Sequence, residues 1–299
     1  MKTLSEMTQE ILKSKSSNAR KKQALIQLGL REVDANNLIW MFTREERAQE
    51  RTKRLADQII NSLTFGVEIE CYRAIRANIE ERARVNNLNI RYEGYNHNDS
   101  RSTFRFVSDS SIHGANPIEC VTPILKGRNG FSDLKKCCKT LNEAGCNVNL
   151  STGLHVHIGG ISNETQYVNV FRNYQALEGI IDSFMAFSRR NCQWCRPLSN
   201  YDFSRCSSQR DVHNVLNGRY YKVNPESWFR HNTIEFRQHA GTINFEKIKM
   251  WVVFCIKLVA WSKDNLITSA VTSIADVPFL NDKEKTYFQS RIDHFACIA

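Results

Sequence analysis

The chain has 299 residues, 41% apolar and 24% charged, with ten cysteines and a formal net charge of +10. That balance excludes a disordered or fibrous chain. No signal-type apolar stretch opens the sequence, and the most hydrophobic run, "MWVVFCIKLVAW", is interrupted by Lys257 and too short to span a bilayer, so a soluble cytoplasmic protein with reduced thiols and no membrane partner is expected.

Residues 1–62 read as helical throughout. "MTQEILKSK", "NARKKQALIQLGL", which ends at Gly29, and "EVDANNLIWMFTREERAQERTKRLADQIINS" space leucine and isoleucine by three and four residues. Such stripes form cores and show no chemistry, so this N-terminal helical module is expected to brace the rest or dock a partner. The net positive charge suits a polyanion. Yet "REERAQERTKR" interleaves glutamates with its arginines and offers no aromatic stacking platforms, which argues for a solvated helix face and against nucleic acid.

At Thr64 the period changes to two: "LTFGVEIECY" sets Phe65, Val67 and Ile69 on one face and Glu68 and Glu70 on the other. The main domain, residues 63–299, begins here. A polar region rich in Asn and Arg follows, then "TFRFVSDSSI" and "PIECVTPIL" as strands joined by a Gly and Pro turn. "FSDLKKCCKTLNEAG" reads as a helix with Ser132 as N-cap and Gly145 past its end.

"NLSTGLHVHIGG" is the next strand, and a long helix from Asn163 to Arg190 buries Tyr167, Val170, Phe171, Tyr174, Leu177, Ile181 and Phe184. A connection rich in Cys and Arg leads through "RYYKVN" to the strand "HNTIEFRQHAGT" and the helix "FEKIKMWVVFCIKLVAWS". No repeat is evident. The pattern predicts an α+β fold, with an antiparallel or mixed sheet that is polar on one face and covered by helices on the other.

Three strands share a feature. Their outward faces carry Glu68 and Glu70, His155 and His157, or Glu235, Arg237 and His239, where an ordinary solvated face favours Thr, Ser and Lys. Neighbouring carboxylates repel unless a cation lies between them. Together these groups supply oxygen and imidazole ligands for Mg²⁺ or Mn²⁺ and a planar fork for a phosphoryl group. No Gly-rich phosphate loop accompanies them; "KGRNG" is a lone turn. "CQWC", with Cys206 and His213 beyond, invites a zinc site, but the second pair fits no strong spacing and reduced thiols are preferred. By strand alternation Cys71, after Glu70, and Cys120, after Glu119, fall on the apolar face opposite those glutamates.

"FGVEIE", "SDSSI" followed by "ECVTPIL", "NLSTGLHVHIGG", "RYYKVN" and "TIEFRQHAGT" also carry a family likeness, from about Phe65 to Trp261. In order and type they resemble the amidoligase family, ATP-dependent carboxylate-amine ligases of the glutamine synthetase and glutamate-cysteine ligase superfamily. The resemblance implies a curved, mostly antiparallel sheet whose concave face binds Mg-ATP. It also implies roles: Glu68, Glu70, Glu119 and Glu235 as carboxylate metal ligands, His155 as the imidazole ligand, and His157 on nucleotide phosphates. Arg237 would steady the γ-phosphoryl, and Arg219 and Lys222 would hold ATP or the acyl phosphate.

The implied reaction makes an amide or isopeptide bond by activating a carboxylate substrate as an acyl phosphate, from which an amine acceptor displaces phosphate. An acidic peptide or protein is one possible substrate on grounds of charge. Two other readings stay open: a metal-dependent phosphodiesterase or nuclease using the same clustered Glu and His, and a binding protein that holds nucleotide without turnover.

Overall fold

The computed structural model describes residues 2–93 and 103–298. The chain divides into two compact units, Met1–Gln58 and Ile59–Ala299. The first holds helices α1 (Leu4–Lys13) and α2 (Asn18–Gln27) and most of α3 (Glu32–Ser62). Thr3 and Glu6 form a reciprocal capping box at the start of α1, and Ser17 caps α2. Leu12, Leu25, Ala35 and Ile39 make a small core of their own.

The second unit is built on one open seven-stranded sheet in the order β2-β3-β4-β1-β5-β7-β6. Its strands are β1 (Thr64–Cys71), β2 (Ile90–Glu93), β3 (Phe104–Val107), β4 (Ile118–Val121), β5 (Gly153–Gly159), β6 (Val223–Asn224) and β7 (Thr233–Ala240). Every adjacent pair is antiparallel except β2 with β3. The helices are α4 (Arg76–Val85), α5 (Gly127–Glu143), α6 (Glu164–Phe184), α7 (Gln209–Leu216), α8 (Glu226–His231), α9 (Phe245–Trp261) and α10 (Asp282–Cys297).

Alternation fixes which face is buried. Phe65, Val67 and Ile69 of β1, Leu154, Val156 and Ile158 of β5, and Ile234 and Phe236 of β7 join one core with Tyr167, Phe171 and Tyr174 of α6 and Trp251 and Phe254 of α9. Each such side chain contributes roughly 1.5–3 kcal/mol by leaving water. The opposite face is thereby free to carry charge. Cys71 and Cys120 lie in the core, as their place after the glutamates requires.

Several elements differ from the sequence expectation. Helix α5 starts at Gly127, with Lys126 as N-cap, so Ser132 lies inside it and "KGRNG" is its first turn. A Cβ on Gly130 would stand 2.9 Å from the Leu125 Cβ, so this turn packs where only glycine fits. Helix α6 ends at Phe184, six residues early, because Met185 is extended and Phe187–Arg189 forms a separate 3-10 turn. The polar region contains α4, which buries only Ile79 and Ala83, and β2; residues 94–102 of it lie outside the described residues. Strand β3 stops at Val107, since Asp109 Oδ1 accepts from both the amide and the hydroxyl of Ser111 at 2.7 Å and turns the chain. The connection to β6 contains the short helix α7.

Candidate active site

The register brings the acidic and imidazole side chains of four strands together. On β1, Glu68 is paired with His155 of β5 and Glu70 with Glu119 of β4, while His157 of β5 is paired with Glu235 of β7. All six line one cavity of about 990 Å³, together with Arg219 and Arg237. His155 is its hub: Nδ1 lies 3.0 Å from Glu68 and 3.6 Å from Glu235, and Nε2 lies 3.6 Å from Glu70. Glu68, His155 and Glu235 form one group able to hold a metal ion, and Glu70, Glu119 and His155 a second.

Neighbouring groups hold these side chains in place. Glu70 Oε2 accepts from the Gly153 amide at 2.6 Å, and Glu235 Oε2 accepts from Asn224 Nδ2 at 2.5 Å. His157 sits between Thr233 Oγ1 at 2.9 Å and Glu68 Oε1 at 3.2 Å. Gly241 donates its amide to the Thr152 carbonyl, and a Cβ there would fall 2.1 Å from Thr152 Oγ1, which accounts for glycine after "QHA".

The charges are unequal across the sheet. Burial alone would raise the Glu68 carboxyl, but His157, and His155 with it, outweigh burial and hold it well below the usual carboxylate range. Burial also opposes charge on His157, yet Glu68 and Glu235 raise it above the ordinary imidazole value. Glu119 shifts the other way: burial first, then Glu68 and Glu70, push it well above the usual carboxylate range. Arg237 Nη1 donates to Glu235 Oε1 at 2.5 Å, while its buried Nε has no hydrogen-bond partner among the described residues.

Two expected positions are corrected. Lys222 does not line the cavity; its side chain is fully buried, with Nζ 2.7 Å from Asp182 and 3.0 Å from Glu178, both on α6. Its charge is taken up by the buried Glu178 and the partly exposed Asp182, away from the cavity. His239 leaves the polar face because of a bulge. Val156 pairs with Phe236 but Leu154 pairs with His239, so the single residue His155 faces both Arg237 and Gln238. His239 therefore packs toward α9, its ring 6.0 Å from Trp251, and burial lowers its pKa to about 4. Arg219 lies exposed at the cavity, its guanidinium donating to the Tyr220 hydroxyl at 3.0 Å.

Sequence reasoning missed Arg189 and Asn224, which also line the cavity. Arg189 donates to the Thr152 carbonyl just before β5. Its signal was hidden, because the arginines of "SRRNCQWC" read only as a helix end. Asn224 is the cross-strand partner of Glu235, a relation visible once β6 and β7 are known to pair.

The thiols of Cys192 and Cys195 stand 2.9 Å apart, and among the described residues neither Cys206 nor His213 joins them in a ligand group.

A sheet face that gathers carboxylates, imidazoles and arginines over one large cavity has the form of an enzyme cleft. The sequence matches the family model described as "Putative amidoligase enzyme" over residues 61–259, most of its length, and the chain belongs to this amidoligase family. No curated protein matches it significantly. Among solved structures it is similar to a bifunctional glutathione synthetase from Pasteurella multocida, at 12% identity and a TM-score of 0.39 over 82% of this chain. The match takes in 42% of that chain, so this protein spans less than half of its length. No helix among the described residues is long and apolar enough to cross a membrane.

Proposed function

We propose that this protein is an ATP-dependent carboxylate-amine ligase that forms an amide or isopeptide bond through an acyl phosphate. The observation that carries the reading is the pair of three-residue ligand groups that share His155 beneath one cavity, with Arg237 beside them. Membership in the amidoligase family selects ligation among the reactions such a face could serve.

The donor set fits hard divalent cations: four carboxylates, one of them, Glu119, pushed toward its neutral form by burial and by Glu68 and Glu70, and an imidazole. Glu68, Glu70, Glu119, His155 and Glu235 would hold Mg²⁺ or Mn²⁺, which when bound neutralises phosphate oxygens and the substrate carboxylate.

The chain's own groups do the rest. His157 is biased toward its charged form by Glu68 and faces the phosphates of ATP. Arg237, which lines the cavity, presents its guanidinium to the γ-phosphoryl group and stabilises the charge spread over its oxygens as the substrate carboxylate attacks phosphorus and ADP leaves. Arg219 and Arg189 line the same cavity and serve the anionic substrates. The amine then attacks the acyl carbon, phosphate departs and the amine proton is lost.

The test is phosphate release from Mg-ATP against paired carboxylates and amines, with mass spectrometry of products and hydroxylamine added to trap the acyl phosphate. Phosphate release that needs the carboxylate, with a hydroxamate in the trap, is expected. Cleavage of DNA or RNA without ATP, and no carboxylate-dependent phosphate release, would replace the ligase by a phosphodiesterase.

A further inference from the structure

The "CQWC" segment is absorbed neither by the sheet-face site nor by a metal. Two thiolates alone do not hold a structural zinc ion, which takes four ligands, and no third His, Cys, Asp or Glu among the described residues completes the group. The geometry is that of a closed pair: the Cys195 amide donates to the Cys192 carbonyl at 3.1 Å, and the two sulfurs are 2.9 Å apart. A disulfide needs a sulfur separation of about 2.05 Å, within reach of a small side-chain adjustment.

The two thiols differ in kind. Cys192 is partly exposed and Cys195 buried. A hydrogen bond from the Cys195 thiol, helped by the Trp194 and Cys195 amides and the Arg189 charge, holds Cys192 down at about 6, while Cys195 is pushed up. An accessible thiolate beside a buried thiol is the arrangement of an attacking and a resolving cysteine.

The pair is also mechanically joined to the cavity. Gln193 and Trp194, the residues between the cysteines, line it, and the Trp194 ring lies 5.2 Å from that of Tyr220, another lining residue. The Cys195 thiol reaches the carbonyl of Arg189 at 3.4 Å, and Arg196 exchanges backbone hydrogen bonds with Tyr220 and Lys222.

We propose that Cys192 and Cys195 are a reversible redox modification site, oxidised by peroxide to a disulfide that locks the Gln193–Trp194 rim of the cavity. The Cys192 thiolate attacks a peroxide oxygen and breaks the O–O bond, giving a sulfenic acid and hydroxide. The Cys195 thiol then attacks the Cys192 sulfur, the S–S bond forms and hydroxide leaves. Both thiol protons end in two molecules of water, and the two electrons lost by the sulfurs reduce the peroxide.

The test uses the full-length chain carrying Cys297→Ser, which removes the one exposed thiol. It is treated with hydrogen peroxide, alkylated after unfolding and mapped by mass spectrometry. The expected result is a peptide spanning both cysteines, unalkylated and lighter by two hydrogens, that dithiothreitol restores; Cys195→Ser should instead accumulate sulfenic acid on Cys192. Indole fluorescence should fall on oxidation in the wild type and be unchanged in Trp194→Phe. Full alkylation of both cysteines after peroxide, or over-oxidised Cys192 with no cross-link in the wild type, would overturn the proposal. Neither readout depends on ligase activity.

Discussion

Glu70 and Glu119 are direct cross-strand partners on β1 and β4, and both carboxylates line the same cavity. Like charges so placed destabilise a bare sheet unless a cation joins them or one is protonated, and Glu119 is indeed pushed toward its neutral form. Magnesium or manganese at about 100 times its Kd should therefore raise the melting temperature by on the order of 5–10 °C, reversibly with EDTA. Glu119→Gln should be at least as stable without metal and lose most of that rise. An equal metal-induced shift in wild type and variant would remove Glu119 from the ligand set.

Arg237 lines the cavity and is paired with Glu235 through Nη1, and its buried Nε has no hydrogen-bond partner among the described residues. Arg237→Ala should lower the ligation rate by roughly 10³-fold or more while circular dichroism and gel filtration stay unchanged. Arg237→Lys should recover little, since a point charge does not reproduce the planar fork. A near-normal rate in Arg237→Ala would contradict the assignment.

Lys222 bridges Glu178 and Asp182 inside the protein. Its removal leaves the buried Glu178 and the partly exposed Asp182 without their cation, so Lys222→Met should cost about 3–5 kcal/mol in urea unfolding. Were the lysine instead a nucleotide contact, the variant would keep its stability and show only a raised KM for ATP.

His239 supplies a pH dependence that runs toward acid. Its folded pKa of about 4 lies below the unfolded value of 6.5, so the folded protein resists protonation. The contribution is fully present above 6.5 and is lost as pH falls toward 4, up to about 3 kcal/mol. Urea midpoints between pH 7 and pH 4.5 should fall less in His239→Asn than in the wild type. Parallel profiles would assign the acid sensitivity elsewhere.

The sheet and the polar face were legible because period-two alternation writes the buried side directly: Val67 and Ile69 of β1 imply Glu68 and Glu70 opposite, and Val156 implies His155 and His157. What local pattern cannot show is a register change. His239 follows Arg237 by two residues and was expected beside it, until one surplus residue opposite His155 moved it to the helix side. Lys222 was misplaced for a related reason: its partners Glu178 and Asp182 are some forty residues away on α6, and nothing near Lys222 in sequence announces them. Helix α4 was missed because only two of its residues are buried, too few for a visible stripe. Arg189 has no periodic context at all.

The bulge in β7 makes chain length a chemical variable. Upstream of it the strand presents Glu235 and Arg237 to the cavity; downstream, Gln238 bonds Tyr174 and Asp182 in the interior. Removing one residue there would realign the rest of the strand, so that either the arginine turns inward or the glutamine turns out, with no residue type altered. Lineages of this sheet should therefore accept many substitutions along β7 more readily than a single deletion.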